Sequence, residues 1–348
     1  MNESNNFHFI RFLAASLVVV GHVFPLNNKP DLIENGTLGL FPSGHMAVCI
    51  FFIISGYLVL KSNQNSSSQL SYLFKRVLRI YPGLFVALVF TVFIIGPINT
   101  ILPLKDYFTN FSTYRFFDYL KLYPSTTTML PGVFENNPFK VANGSLWTLA
   151  YEFTMYLFVI VASLLFRKRW SIFVGLFFVF FIIFCAFHTT IKEYEKPLRI
   201  IHLGLFPLLD FGIYFVLGMI YGVYQKQIPL KWWIAVAALL LWLGLYPIAE
   251  NGYIPLVSIT WMRYFSLSYI IFYLSFLKGS INNFGKSGDY SYGIYIYAFP
   301  VQQTLVSFFQ GKLELYWQVL IAFAIVLPLA WLSWHFVEKP ALKYKTLL

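Results

Sequence analysis

Ten apolar runs, several of them about 20 residues long, punctuate this chain at roughly 8–25, 44–60, 80–98, 145–166, 170–187, 203–224, 232–248, 263–277, 291–310 and 315–336. A run of that length crosses the hydrocarbon core of a bilayer as a helix. Inside lipid every backbone N–H and C=O must find its partner within the protein, so a chain built this way has few folds open to it. Charge content agrees: 11% of the 348 residues are charged, against about a quarter in a soluble domain. The expectation is an all-α polytopic membrane protein with about ten transmembrane helices, forming a single membrane domain over 1–348. The first run follows a short polar start that resembles a secretion signal, but nine further runs follow, which favours a retained first helix. Cys49 and Cys185 both fall inside apolar runs and read as small hydrophobes. No metal-ligand spacing is present, and no metal is expected.

Ten crossings put both termini on one side. With the N-terminus in the cytoplasm, the cytoplasmic segments hold fifteen of the 25 basic residues, among them Arg11, Lys61, Lys75, Arg76, Arg79, Arg167, Lys168 and Arg169. Only three acidic residues, Glu3, Asp289 and Glu338, share that side. Excess Lys and Arg on the inner side sets orientation, so both termini are predicted cytoplasmic. The basic balance is thereby an orientation signature, and it leaves no scattered basic surface for nucleic acid. The longest outer loop, about 99–144, is too polar to cross and rich in Tyr and Phe. It is expected to pack on the outer mouth of the bundle, as an interfacial aromatic belt or a sugar-stacking rim.

Three polar constellations interrupt the apolar pattern. The first is "FIRFLAASLVVVGH" (9–22). Arg11 and His22 are eleven residues apart, close to three full turns, so they share one helix face about 16 Å apart along the axis. Ionisable side chains inside a membrane face a bundle interior or a watered cavity, which puts a cation at one end of a polar stripe and a titratable imidazole deep along it. A snorkelling arginine and a structural histidine satisfy the same spacing. The second is "SYLFKRVLRIYP" (71–82), in which Arg76 and Arg79 lie one turn apart with Lys75 beside them. Two arginines on one face suit phosphate, or anchor the helix at the inner surface. The third is "NGSLWTLAYEF" (143–153). Ser145 is the expected N-cap of the fourth span, and Glu152 then lies about 10 Å into it, where a carboxylate is costly unless paired or working. The small Gly56 in "ISGY" is read as a point of close helix approach. Asp210 and Arg263 are two further charges within or near spans, provisionally an ion pair.

At these stretches the chain resembles the bacterial membrane-bound acyltransferase-3 family. The resemblance rests on Arg11-x10-His22, "FFIISGYLV" (51–59), "KRVLRIYP" (75–82), "LPGVF" (130–134), "NGSLWTLAYEF", "SYGIYIYAFPVQQ" (291–303) and "FVEKPAL" (336–342), in order along the chain. It implies transfer of an acyl group, most often acetyl, from cytoplasmic acetyl-CoA to a carbohydrate hydroxyl at the outer face of the inner membrane, such as O-antigen or exopolysaccharide. It also implies functional roles for His22, Arg11 and Glu152, and for the arginines Arg76 and Arg79. The sequence is similar to the stand-alone form, without the fused hydrolase-like domain of larger members. Two positions depart from the family pattern: Ala298 where relatives often carry histidine, and Ala150 where proline is frequent.

The resulting expectation is a passage across the membrane. The donor's phosphates rest on Arg76, Arg79 and Lys75 in the segment 61–80, and its thioester reaches His22. His22 acts as general base or as an acyl-accepting nucleophile, with Glu152 stabilising the imidazolium. His45 in "SGHMAV", Ser145 and Asn143 are candidate acceptor-binding residues. Succinyl or another short-chain donor fits equally. A flippase for a lipid-linked sugar, or a scaffold in a polysaccharide synthesis complex, would show much of the same composition.

Overall fold

The computed structural model describes residues 5–36, 42–123, 128–167, 169–194, 196–198, 201–255 and 257–346. Glu3 and Lys168, used above for orientation, lie outside the described residues. A helix stands at each of the ten apolar runs: α1 Phe7–Leu26, α2 Ser43–Gln64, α3 Gln69–Phe90, α4 Thr148–Phe166, α5 Trp170–Ala186, α6 Leu205–Tyr224, α7 Trp232–Glu250, α8 Val257–Phe276, α9 Ser291–Phe309 and α10 Leu315–Ser333. Among the described residues, seven helical stretches are long and apolar enough to span a bilayer by themselves, and α5 is apolar but shorter. Outside that set, α8 carries four serines and Arg263, and α9 carries Gln302, Gln303 and Thr304. The fold is that of an all-α polytopic membrane protein.

The segment 61–80 is not a connecting loop. Helix α2 runs on to Gln64 and α3 begins at Gln69, leaving a turn of "NSSS" between them. Ser68 caps α3, its Oγ accepting from the Ser71 N–H at 3.0 Å. Lys75, Arg76 and Arg79 therefore project from a continuous helix, which fixes their spacing.

The chain divides into two compact units. The first comprises Met1–Arg11, Val48–Tyr72 and Tyr151–Lys286. Its closest helix crossing is made by glycines. A Cβ on Gly56 of α2 would lie 1.9 Å from the Phe215 carbonyl oxygen on α6, and one on Gly218 would lie 2.2 Å from the Ile53 carbonyl oxygen. The expected close approach at Gly56 is thus observed, and it is reciprocal. Gly56→Ala should lower the thermal unfolding temperature of detergent-purified protein, because neither backbone can yield cheaply. A loss of about 1–3 kcal/mol is expected from such overpacking. Asn6 ties the chain's start to the end of α8, donating to the carbonyls of Leu274 (2.9 Å) and Leu277 (2.8 Å).

The second unit comprises Phe12–Ala47, Leu73–Ala150 and Ser287–Leu348. Helix α9 is its core, with residues Ser291–Gln303 all buried, and Gly293 packs against the α10 backbone at Ala330. Two prolines in this unit each leave a carbonyl unsatisfied, and a side chain fills each gap. Pro300 cannot donate to the Ile296 carbonyl, which Asn143 Nδ2 reaches instead at 2.9 Å. Helix α3 continues through a π-helical turn, Thr91–Ile95, ahead of Pro97. In that register the Val92 carbonyl would look to Pro97, and the Tyr107 hydroxyl supplies the proton at 2.8 Å. Burial pushes the Tyr107 phenol, outside the spans, well above its ordinary range, which keeps it a donor. The loop 99–144 is partly helical, with Leu104–Thr109, Phe111–Arg115 and a 3₁₀ turn at Phe116–Lys121. Gln303 of α9 anchors it, donating to the carbonyls of Phe139 and Val141, both at 2.8 Å.

Candidate active site

His22 sits four residues before the end of α1, and its helix face can be read from its neighbours. Leu13, 47% exposed, lies nine residues back, about 180° around the helix. Ala15, Val18 and Val19 are fully buried on the His22 side. His22 itself is half-buried. It therefore lies on the protein side of the helix and away from the Leu13 side. Its Nδ1 is buried and has no hydrogen-bond partner. An imidazole nitrogen without a partner inside a membrane protein is costly, so it is a position where a reacting group gains by arriving.

The glycine before His22 has its own reason. A Cβ on Gly21 would stand 2.4 Å from Ser43 Oγ and 2.9 Å from the Gly44 N–H at the start of α2. Asp31 holds that start, accepting from Ser43 Oγ at 2.5 Å and from the Ser43 N–H at 3.2 Å. His45 is half-buried in the same first turn.

Phe299 of α9 forms a wall of the site. Its ring meets the His22 ring edge-on with centroids 5.1 Å apart. It also packs so tightly on Gly144 that a Cβ there would lie 2.5 Å from the ring. Ser145 follows, buried, its Oγ without a partner. Its carbonyl accepts from Tyr295 Oη at 2.7 Å, and since a phenol has one proton, Thr148 Oγ donates to Tyr295 in turn at 2.5 Å. Two expectations change here. The cap of this segment is Asn143, whose Oδ1 accepts from the Ser145 N–H at 3.2 Å, and not Ser145. Asn143, expected to contact an acceptor, is 0% exposed, and its amide is used at both ends, at the Ile296 carbonyl and the Ser145 N–H. Gln302, one turn beyond Phe299, is a site residue that spacing alone did not single out. It is 2% exposed, donates to the Val19 carbonyl at 2.7 Å, and leaves its Oε1 buried without a partner. An amide in an apolar span is itself the signal that could have found it.

The basic segment of α3 separates into two roles. Arg79 is held by two acids, with Nη2 2.7 Å from Asp289 and Nη1 3.4 Å from Glu338. These carboxylates are 5% and 2% exposed. Asp289 also accepts from Ser291 Oγ at 2.5 Å and Glu338 from Ser333 Oγ at 3.0 Å. Glu338 ends a second π turn, Trp334–Glu338. Arg79, expected at a donor phosphate, is bound here to two acids. Its charge is already compensated, and it joins α3 to the start of α9 and the end of α10. Lys75 and Arg76 are half-buried on the same helix.

Arg11 and Glu152 belong to the first unit. The Arg11 guanidinium lies 6.0 Å from the centroid of the Phe51 ring. Glu152 Oε1 accepts from Tyr156 Oη at 2.5 Å and from Ser55 Oγ at 3.3 Å, joining α4 to α2. In the same unit Tyr264 donates to Asp210, and Arg263 Nε donates to Tyr214 Oη at 3.0 Å. The two charges considered as an ion pair are thus each held by a tyrosine. In α9, Ala298 is fully buried and offers no polar side chain.

An acyltransferase domain model matches residues 4–335. This chain belongs to the acyltransferase-3 family. It is 32% identical to the O-acetyl transferase of Shigella phage Sf6 over 351 residues, covering 97% of this chain and 96% of that one. It is 29% identical to nodulation protein 10 of Rhizobium leguminosarum bv. viciae over 364 residues, covering 99% and 95%. No solved structure matches it. As a multi-pass membrane acyltransferase, the chain is an enzyme, and family membership sets aside the flippase and scaffold readings.

Proposed function

We propose that this acyltransferase moves an acetyl group from acetyl-CoA, entering from the cytoplasm, to a hydroxyl of a surface carbohydrate at the outer face of the bacterial inner membrane. The observation that carries the reading is His22: a half-buried imidazole on the protein side of α1 with an unsatisfied nitrogen. Support for acetyl comes from the relative named as an O-acetyl transferase. Lys75 and Arg76 bind the donor's phosphates, and Arg79 positions the helix that carries them. The acceptor hydroxyl attacks the thioester carbon while His22 takes its proton. The C–O bond forms, the C–S bond breaks, and the departing thiolate is neutralised by the proton that His22 accepted. An imidazole suits this because one ring nitrogen can accept a proton while the other carries one. Ser145 and His45 contact the acceptor.

The direct test compares surface glycan from cells with the wild-type chain, with none, and with His22→Gln, by mass spectrometry and NMR. An added acyl mass that appears only with wild type supports the reading and identifies both acyl group and acceptor. Glycans identical in all three strains would oppose it. Glu152 and Arg11 are part of the same proposal. Glu152→Gln keeps an oxygen that accepts from Tyr156 and Ser55, so expression and thermal stability should hold. Activity should nevertheless fall at least about tenfold if the charge itself serves transfer. Unchanged turnover would make Glu152 a packing residue.

A further inference from the structure

We propose that Gln302 is a donor-binding residue that recognises the amide N–H two carbons from the thioester sulfur of the pantetheine arm. The inference rests on the acyl-CoA reading above and adds a specific recognition contact to it.

Gln302 is buried in α9, and its amide orientation is set by one bond, Nε2 to the Val19 carbonyl at 2.7 Å. That leaves Oε1, which can only accept, without a donor. A buried acceptor left empty costs about 1–3 kcal/mol, so this atom is built for a donor that arrives with a ligand. Val19 precedes His22 by three residues, one turn earlier on α1, which is about 4.5 Å along the axis on nearly the same face. It lies on the Arg11 side of His22, the side from which the donor comes. In a pantetheine thioester an N–H stands two methylenes from the sulfur, so it lies within a helix turn of the reacting carbon. With the thioester at His22, that N–H falls at the level of Gln302 Oε1. Phe299, one turn before Gln302 on α9, meets the His22 ring edge-on and so links Gln302's helix to the imidazole. A sugar hydroxyl would also satisfy Oε1, but the acceptor enters from the opposite end of His22.

The test uses everted membrane vesicles carrying the full chain and its host glycan. Acetyl-CoA is the donor, and the coenzyme A thiol released, separated from the competitors by chromatography, is the readout. Two short thiols compete with it: N-acetylcysteamine, and its ketone analogue in which a methylene replaces the N–H. For wild type, N-acetylcysteamine should inhibit at about one tenth the concentration needed for the ketone, the discrimination that one hydrogen bond gives. In Gln302→Leu the ratio should collapse to about one. Gln302→Met serves the same purpose if the leucine variant fails to insert. A purely structural glutamine predicts weaker inhibition by both thiols with the tenfold ratio kept, and that result overturns the proposal. Acetyl-CoA that releases no thiol even with wild type overturns the acyl-CoA reading itself, a distinct failure.

Discussion

Replacing His22 by glutamine should cut acyl transfer by about 10²–10⁴-fold, the range that a general base contributes, with little change in the amount of folded protein. The stability half of this expectation follows from the geometry. His22 Nδ1 makes no hydrogen bond, and the ring's described contact is the edge-on one with Phe299. Glutamine removes a titratable nitrogen without breaking any bond that holds α1. Transfer measured as label incorporated into glycan, alongside size-exclusion profiles of the purified variant, separates the two effects. If glutamine supported near-wild-type transfer, neither general-base nor acyl-histidine chemistry could run through this position.

Arg79 should behave in the opposite way. Arg79→Ala leaves Asp289 and Glu338 buried with their cation gone, and removing one partner of a buried ion pair costs about 3–5 kcal/mol. The variant should accumulate poorly or melt at a markedly lower temperature in detergent. Arg79→Lys should rescue only in part, because one ammonium cannot reproduce the two-armed contact made by Nη1 and Nη2. Arg76→Ala should raise the apparent KM for acetyl-CoA. A variant of Arg79 that melts like wild type but shows a raised donor KM would return this arginine to phosphate binding.

These two residues also show what could be read from sequence. His22 and Arg11 stand out because an ionisable side chain in lipid is costly, and helical spacing is enough to place both on one face. Helix positions were legible for the same reason, since apolar length is a direct consequence of bilayer thickness. What spacing did not reveal was pairing between distant segments. Arg76 and Arg79 are indistinguishable as a doublet, yet Arg79 is claimed by acids 210 and 259 residues away in sequence. Asn143 looked like an acceptor ligand because its partner is created by Pro300, 157 positions on. Gln302 went unassigned because an amide carries no charge to attract notice, although its place in a buried span is just as telling.

The account turns on a thioester reaching the His22 position. It is tested most directly in a chain with Cys49 and Cys185 replaced by alanine and His22→Cys as the one remaining thiol. Labelling of that thiol by a small maleimide is measured with and without acetyl-CoA. The account predicts that acetyl-CoA slows labelling at least about tenfold, while coenzyme A lacking its pantetheine arm does not. Labelling at the same rate in every case would contradict it.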